Sequence, residues 1–198
     1  MKAGSAPISP GEAARAAIAK AAVARIGAEG LEACSIAAVA SAAGTSKASV
    51  LYHFSSREGL LEASVDTALL QWWRAQGEAL RQPGDPRAAL DAWLTASFAI
   101  DLPALRLRTQ IATADPSSSA ARRIADAERD LELALVALLG RGHRNHCWRA
   151  SRPEQTALLV LGLVDGTLLH ALRSGEPASL AALRSVVRSA LLDLLVRP

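Results

Sequence analysis

The chain has 198 residues, 51% of them hydrophobic and 21% charged, with a net charge of +3 and a pI near 9.3. That apolar content excludes wholesale disorder and suffices for one or two packed domains, and two cysteines exclude a disulfide scaffold and fit a reducing cytoplasm. Aromatic residues make up only 4% and Ala and Leu dominate, which favours helices over sheets.

Residues 1–11 hold two prolines and two glycines and read as a disordered arm rather than a signal peptide. Helical periodicity then runs nearly throughout, predicting nine helices and no strand. The first four span about 12–28, 36–42, 46–53 and 56–81, the last stopped by Pro83-Gly84-Asp85-Pro86. A fifth covers about 87–99, and a sixth starts at Pro103 and ends before Asp115-Pro116. A seventh runs from about 118 to 139 and stops at Gly140-Arg141-Gly142, followed by a polar loop to Pro153. An eighth covers about 154–173, and Pro177 opens a ninth to about 196. The longest apolar stretch, 157–164, contains Gly162 and falls short of the roughly twenty apolar residues of a membrane span.

Residues 36–55 read as a helix-turn-helix. Ala40 is small where two short helices must cross, and Gly44 sits at the turn, where a left-handed backbone is cheap for glycine alone. Val50 is an apolar plug facing Val39 and Ala40. Ser35 and Ser46 are placed to cap the two helices. The polar side chains of the second helix are then free for a DNA major groove. Residues 1–62 carry six Lys/Arg against five Asp/Glu, so affinity must come from placement rather than bulk charge. The candidate DNA contacts are Ser35, Thr45, Ser46, Lys47, Ser49, Tyr52, His53 and Arg57.

The stretch 13–62 resembles the DNA-binding domain of the TetR family of bacterial transcriptional regulators. The matching residues are Gly30, Ser35-Ile36, Val39-Ala40, Ala43-Gly44, Ser46-Lys47, Tyr52-His53-Phe54, Ser56-Arg57-Glu58 and Leu60-Leu61. One position departs from the pattern: most members carry a phosphate-touching tyrosine where this chain has Leu51, and here the tyrosine is Tyr52. The resemblance implies a domain at 12–62 and a ligand-binding and dimerisation domain at 63–198. It also implies that Leu158–Arg173, with Asp165-Gly166, forms a dimer through a four-helix bundle.

In the C-terminal half, Leu180, Leu183, Val187, Ala190 and Leu194 recur at three- and four-residue intervals. Gly162 and Gly166 stand one turn apart where another helix could approach closely. The candidate dimer residues are Leu158, Gly162, Gly166, Leu183, Val187 and Leu194. A pocket between helices could use Trp93 and Phe98 with Arg106, Asp165 and His170 as polar partners, around a largely apolar small molecule. Of the adjacent pair Trp72 and Trp73, only one can face the core. His143, His146 and Cys147 form a local group in one loop, too few ligands for a firm metal site. No Gly-x-Ser-x-Gly, phosphate-cradling loop or His-Glu-x-x-His occurs, so neither catalysis nor a cofactor is expected. The expected protein is a cytoplasmic homodimer that binds near-palindromic DNA, as a repressor released by a small molecule. An activator, or a helical enzyme or carrier with a vestigial helix-turn-helix, is the alternative.

Overall fold

The structure is a computed structural model that describes residues 9–174 and 180–196. Among these residues nine α-helices and one 3-10 turn form, and no strand. In chain order they are α1 (Pro10–Glu29), a 3-10 turn (Leu31–Ala33), α2 (Ile36–Ala42), α3 (Lys47–Phe54) and α4 (Arg57–Arg81). There follow α5 (Pro86–Ser97), α6 (Leu102–Ala114), α7 (Ser119–Arg144), α8 (Pro153–Ser174) and α9 (Leu180–Val196). The all-helical expectation holds.

Two boundaries differ from the sequence expectation for identifiable reasons, and a third falls outside the described residues. Helix α1 starts at Pro10 because Ser9 closes a capping box: its hydroxyl accepts from Glu12 N at 3.2 Å, and the Glu12 carboxylate accepts from Ser9 N at 3.0 Å. The expected arm therefore ends earlier, and residues 1–8 of it lie outside the described residues. Helix α7 runs through Gly140 and Gly142 to Arg144. A Cβ at Gly142 would come within 2.1 Å of the Trp148 indole, which donates to Leu139 O at 2.9 Å. That contact offsets the roughly 1 kcal/mol that a mid-helix glycine costs. Helix α9 is described from Leu180, so its expected opening at Pro177 lies outside the described residues.

Two compact units divide the chain, and not at a single boundary near residue 62. The first comprises residues 1–68 and 106–123, the second 69–105 and 124–198. Interleaving of this kind is invisible to a reading that runs along the chain, because it is set by which distant segments pair.

Within the second unit the fully buried side chains include Leu69, Leu80, Trp93, Leu94, Leu105, Leu135, Leu138 and Leu139. Polar bonds fix its helices to one another. Arg188 of α9 forks onto the Asp91 carboxylate at 2.8 and 2.9 Å, and Arg184 donates to Thr95 Oγ1 at 3.0 Å. Trp72 donates to Ser97 O at 3.1 Å while its neighbour Trp73 is buried. The Ser97 hydroxyl lies 2.9 Å from both Gln76 Oε1 and Trp93 O.

Candidate nucleic-acid interface

The helix-turn-helix lies in the first unit. Ser35 caps α2 by accepting from Ala38 N at 3.2 Å, and Ser46 caps α3 by accepting from Ser49 N at 3.0 Å. Between the helices, Thr45 N donates to Ala40 O at 2.9 Å, and Gly44 holds φ +62. A Cβ at Gly44 would meet nothing within 4 Å, so the glycine is required for its backbone angle and not for space. Val39 and Val50 are fully buried and Ala40 nearly so. This is the close crossing that the small and branched side chains suggest.

Burial on one side of α3 leaves the other side open. Val50 is 0% exposed and Phe54 6%, whereas Tyr52 is 85% exposed. Ser46, Lys47, Ala48 and Leu51 are exposed, and Thr45, Ser49 and His53 are half-buried. The His53 ring packs edge-on against Tyr52, centroids 5.2 Å apart, which restrains both at the rim of the open face. Arg15 of α1 stands over the Phe54 ring at 5.1 Å.

The junction from α3 to α4 is tight. Ser55 holds φ +62 and ψ −35, and Ser56 N donates across it to Phe54 O at 2.7 Å, a γ-turn of the rarer hand. Ser56 caps α4 by accepting from Gly59 N at 3.1 Å. A Cβ at Gly59 would lie 2.3 Å from Phe54 O, a backbone atom. Gly59 therefore sets how close the end of the recognition helix comes to α4. Sequence reasoning missed this role, which depends on a contact across a turn.

Arg57 occupies a place the sequence did not foretell. Its Nε donates to Cys34 O at 2.9 Å and its Nη2 to Leu31 O at 3.1 Å. Arg25 of α1 donates from Nε to Ala33 O at 2.8 Å. Two guanidinium groups thus grip carbonyls from the start of the 3-10 turn to the residue before the Ser35 cap. Arg57, a candidate DNA contact, also shapes the entry to α2. Beneath the two charges Cys34 is fully buried, and burial raises its thiol pKa while the neighbouring Arg57 and Arg25 oppose the shift.

Residues 106–123 complete this unit. Gln110 Oε1 accepts from Leu31 N at 2.6 Å, and the Arg106 guanidinium donates to Gly27 O. Glu58 accepts from Ser119 Oγ at 2.7 Å and Ala120 N at 3.2 Å, capping α7 from a different helix. The Ser119 hydroxyl holds the Glu58 carboxyl below its ordinary value. Arg123 pairs with Asp66 at 3.0 Å.

The other expected sites are distributed as follows. Of the five ligand candidates, Trp93 and Phe98 are buried in the second unit. Asp165 and His170 are exposed on α8. Arg106 belongs to the first unit and is engaged with Gly27. Of the dimer candidates, Leu158 is 61% and Leu194 49% exposed, Leu183 is half-buried, and Gly162 and Gly166 stand open with nothing within 4 Å of an added Cβ. Val187 departs from the expectation: it is 2% exposed and aligns with buried Leu191 and Leu195 on the inner side of α9. Among the described residues no three His, Cys, Asp or Glu side chains are grouped to hold a metal ion.

An all-helical chain whose N-terminal unit presents a capped, outward-facing recognition helix belongs to the helix-turn-helix class of DNA-binding proteins. Residues 18–64 match the family described as bacterial regulatory proteins, tetR family. A transcriptional regulator from Saccharomonospora viridis in complex with choline superposes with a TM-score of 0.81 at 20% identity, covering 94% of this chain and 99% of that one. The ketosteroid transcriptional regulator KstR2 of Mycobacterium tuberculosis gives 0.74 at 18% identity, covering 93% and 95%. A TetR-family transcriptional regulator from Mesorhizobium loti gives 0.72 at 20% identity, covering 96% and 100%. No curated protein sequence matches the chain. Residues 18–64 thus carry the helix-turn-helix domain of the tetR family, and the chain has the fold of TetR-family regulators.

Proposed function

We propose that this regulator is a cytoplasmic, non-catalytic homodimer that represses transcription from a near-palindromic operator and is released by a small molecule. The observation that carries the DNA half is the asymmetry of α3: Val50 and Phe54 anchor it, and Tyr52, at 85% exposure, projects away. In this reading Lys47, Ser49, Tyr52 and His53 face the major groove, while the start of α3, with Thr45 and Ser46, lies against the phosphates.

The open face of α8 supports dimerisation. Leu158, Leu159, Gly162, Gly166 and Leu169 fall on one side of that helix and are exposed in the single chain. The opposite side, Ala157, Val160, Val164, Leu168 and Ala171, is buried. The exposed side also carries Asp165 and His170, but its three leucines and two glycines call for a second cover, and a twofold partner supplies one. Two recognition helices would then meet successive major grooves about 34–36 Å apart.

Release by a small molecule is supported by the interior of the second unit. Trp93 Nε1 and Gln76 Nε2 are buried donors without a hydrogen-bond partner. A largely apolar effector with one or two acceptor oxygens would satisfy them. Neighbours of the same fold are a choline complex and a ketosteroid regulator, which places no single charge requirement on such a ligand.

Selection of bound fragments from random DNA, followed by footprinting of the recovered site, tests the reading. The expected product is an inverted repeat bound by two chains, with affinity falling steeply as salt rises. Recovery of no preferred sequence, or binding by a single chain to an asymmetric site, would overturn it.

A further inference from the structure

Between Glu132 and Glu154 the chain carries no carboxylate side chain, yet Arg141, His143, Arg144, His146, Arg149 and Arg152 all fall there. The loop after α7 is firmly built. Cys147 N donates to Gly142 O at 2.8 Å, and Arg149 N to Leu195 O at 2.9 Å. From α5, the Arg87 guanidinium donates to Cys147 O at 2.9 Å. His146 holds φ +55, a backbone region that side-chain-bearing residues seldom enter.

These elements enclose a crevice of about 270 Å³ within the second unit. Arg87, His143, His146, Cys147 and Arg149 line it, with Trp148 and Leu195 as an apolar floor, and no Asp or Glu among them. The charge balance decides what it attracts. The last turns of α7 and α9 are represented here by His143 and Leu195. Each helix end contributes about half a negative charge. Against that total of about one stand two permanent charges, Arg87 and Arg149, and the imidazoles add more when protonated. Arg141 is not counted, because it does not line the crevice and reaches instead to Leu80 O and Gln82 O. Asp85 caps α5 by accepting from Arg87 N at 3.0 Å and does not line the crevice.

We propose that this crevice is a binding site for a compact anion bearing a carboxylate or phosphate group, with Arg87 and Arg149 as its charged partners and His143 and His146 as further donors. Its volume lies just below the roughly 300–1,000 Å³ of pockets for drug-sized ligands, which suits a small metabolite or head group. The site is distinct from the DNA-facing surface and from the buried donors at Gln76 and Trp93. It stands whether or not those bind an effector.

The full-length protein, at constant ionic strength in chloride, is titrated with inorganic phosphate and separately with acetate, following the ring carbon-bound protons of all four histidines by NMR. The expected result is a saturable shift of His143 and His146 with one of the two anions, while His53 and His170 do not move. The anion that saturates at lower concentration identifies the head-group chemistry. Arg149→Gln is the decisive variant, since its side chain leaves while its backbone bond to Leu195 stays, and apparent affinity should fall at least about tenfold. Unchanged melting temperature guards against a folding defect, and Arg87→Gln should weaken binding in the same direction. A linear, non-saturating drift of all four histidines marks an adventitious ion only and overturns the proposal. So does saturation that Arg149→Gln and Arg87→Gln both leave intact.

Discussion

Arg57 separates two accounts of how this regulator grips DNA. If it is the clamp seen in the structure, Arg57→Ala removes two bonds, at 2.9 Å to Cys34 O and 3.1 Å to Leu31 O. A charged donor contributes about 1.5–3 kcal/mol per bond when buried. This side chain is exposed, so about 1 kcal/mol each is the appropriate scale. The sum, about 2 kcal/mol in each chain, lowers the population of the correctly shaped turn roughly thirtyfold. Operator affinity of the dimer, which needs both turns, should fall by up to about a thousandfold at every salt concentration. The slope of log affinity against log salt should not change, because no phosphate contact is lost. Arg57→Lys should behave like the alanine variant, since an ammonium cannot reproduce the fork that spans two carbonyls. A phosphate contact predicts the reverse: two lost contacts per dimer flatten the slope by about 1.8, and lysine rescues. Fluorescence anisotropy on the selected operator, from about 50 to 300 mM KCl, reads both quantities. A flattened slope with lysine rescue would refute the clamp.

Gly59→Ala should lower the melting temperature and weaken DNA binding with dimerisation intact. Its Cβ would stand 2.3 Å from Phe54 O, and overpacking of this kind costs about 1–3 kcal/mol; unaltered affinity and melting would show that the junction yields freely. Gly44→Val should cripple binding through its φ of +62, whereas Gly44→Asn, which tolerates that angle, should retain most of it; equal loss in both variants would point to space instead. Glu58→Gln tests the cap on α7. Because the folded carboxyl lies below its unfolded value of about 4.5, the stabilisation is fully present above that pH and is lost as pH falls through the folded value. The gap in melting temperature between wild type and Glu58→Gln should therefore be open at pH 7 and close in acid; a pH-independent gap would remove the charge from the cap. Gly166→Leu should shift sedimentation toward monomer, and a fully dimeric variant would place the interface elsewhere than α8.

The legible parts of the molecule were those whose causes are local. Ser35, Ser46 and Gly44 announce the helix-turn-helix because caps and turns are decided within four residues, and the structure bears out both caps and the left-handed turn. Pro83-Gly84 and Asp115-Pro116 stop helices for the same reason. What escaped is non-local. Gly142 looks like a helix breaker until Trp148 folds back onto it. Arg57 looks like a surface cation until the 3-10 turn offers it two carbonyls. Val187 and Leu194 belong to one heptad-like series, yet a small rotation about α9 buries the first and exposes the second. Periodicity marks which residues are apolar and leaves open which of two apolar sides meets the same chain.

The bonds that tie residues 106–123 to the N-terminal segment bear on modularity. The family match ends at residue 64, whereas the compact unit borrows Arg106, Gln110, Ser119 and Arg123 from farther down the chain. Cut after residue 68, the fragment leaves Glu58 without the helix end it caps and Leu31 N–H without its amide acceptor. Swapping the first 64 residues between such regulators would therefore transplant a reading head without its mount. A chimera that keeps its operator preference has to carry two separate stretches of sequence, spliced at positions that no contiguous definition of the domain would suggest.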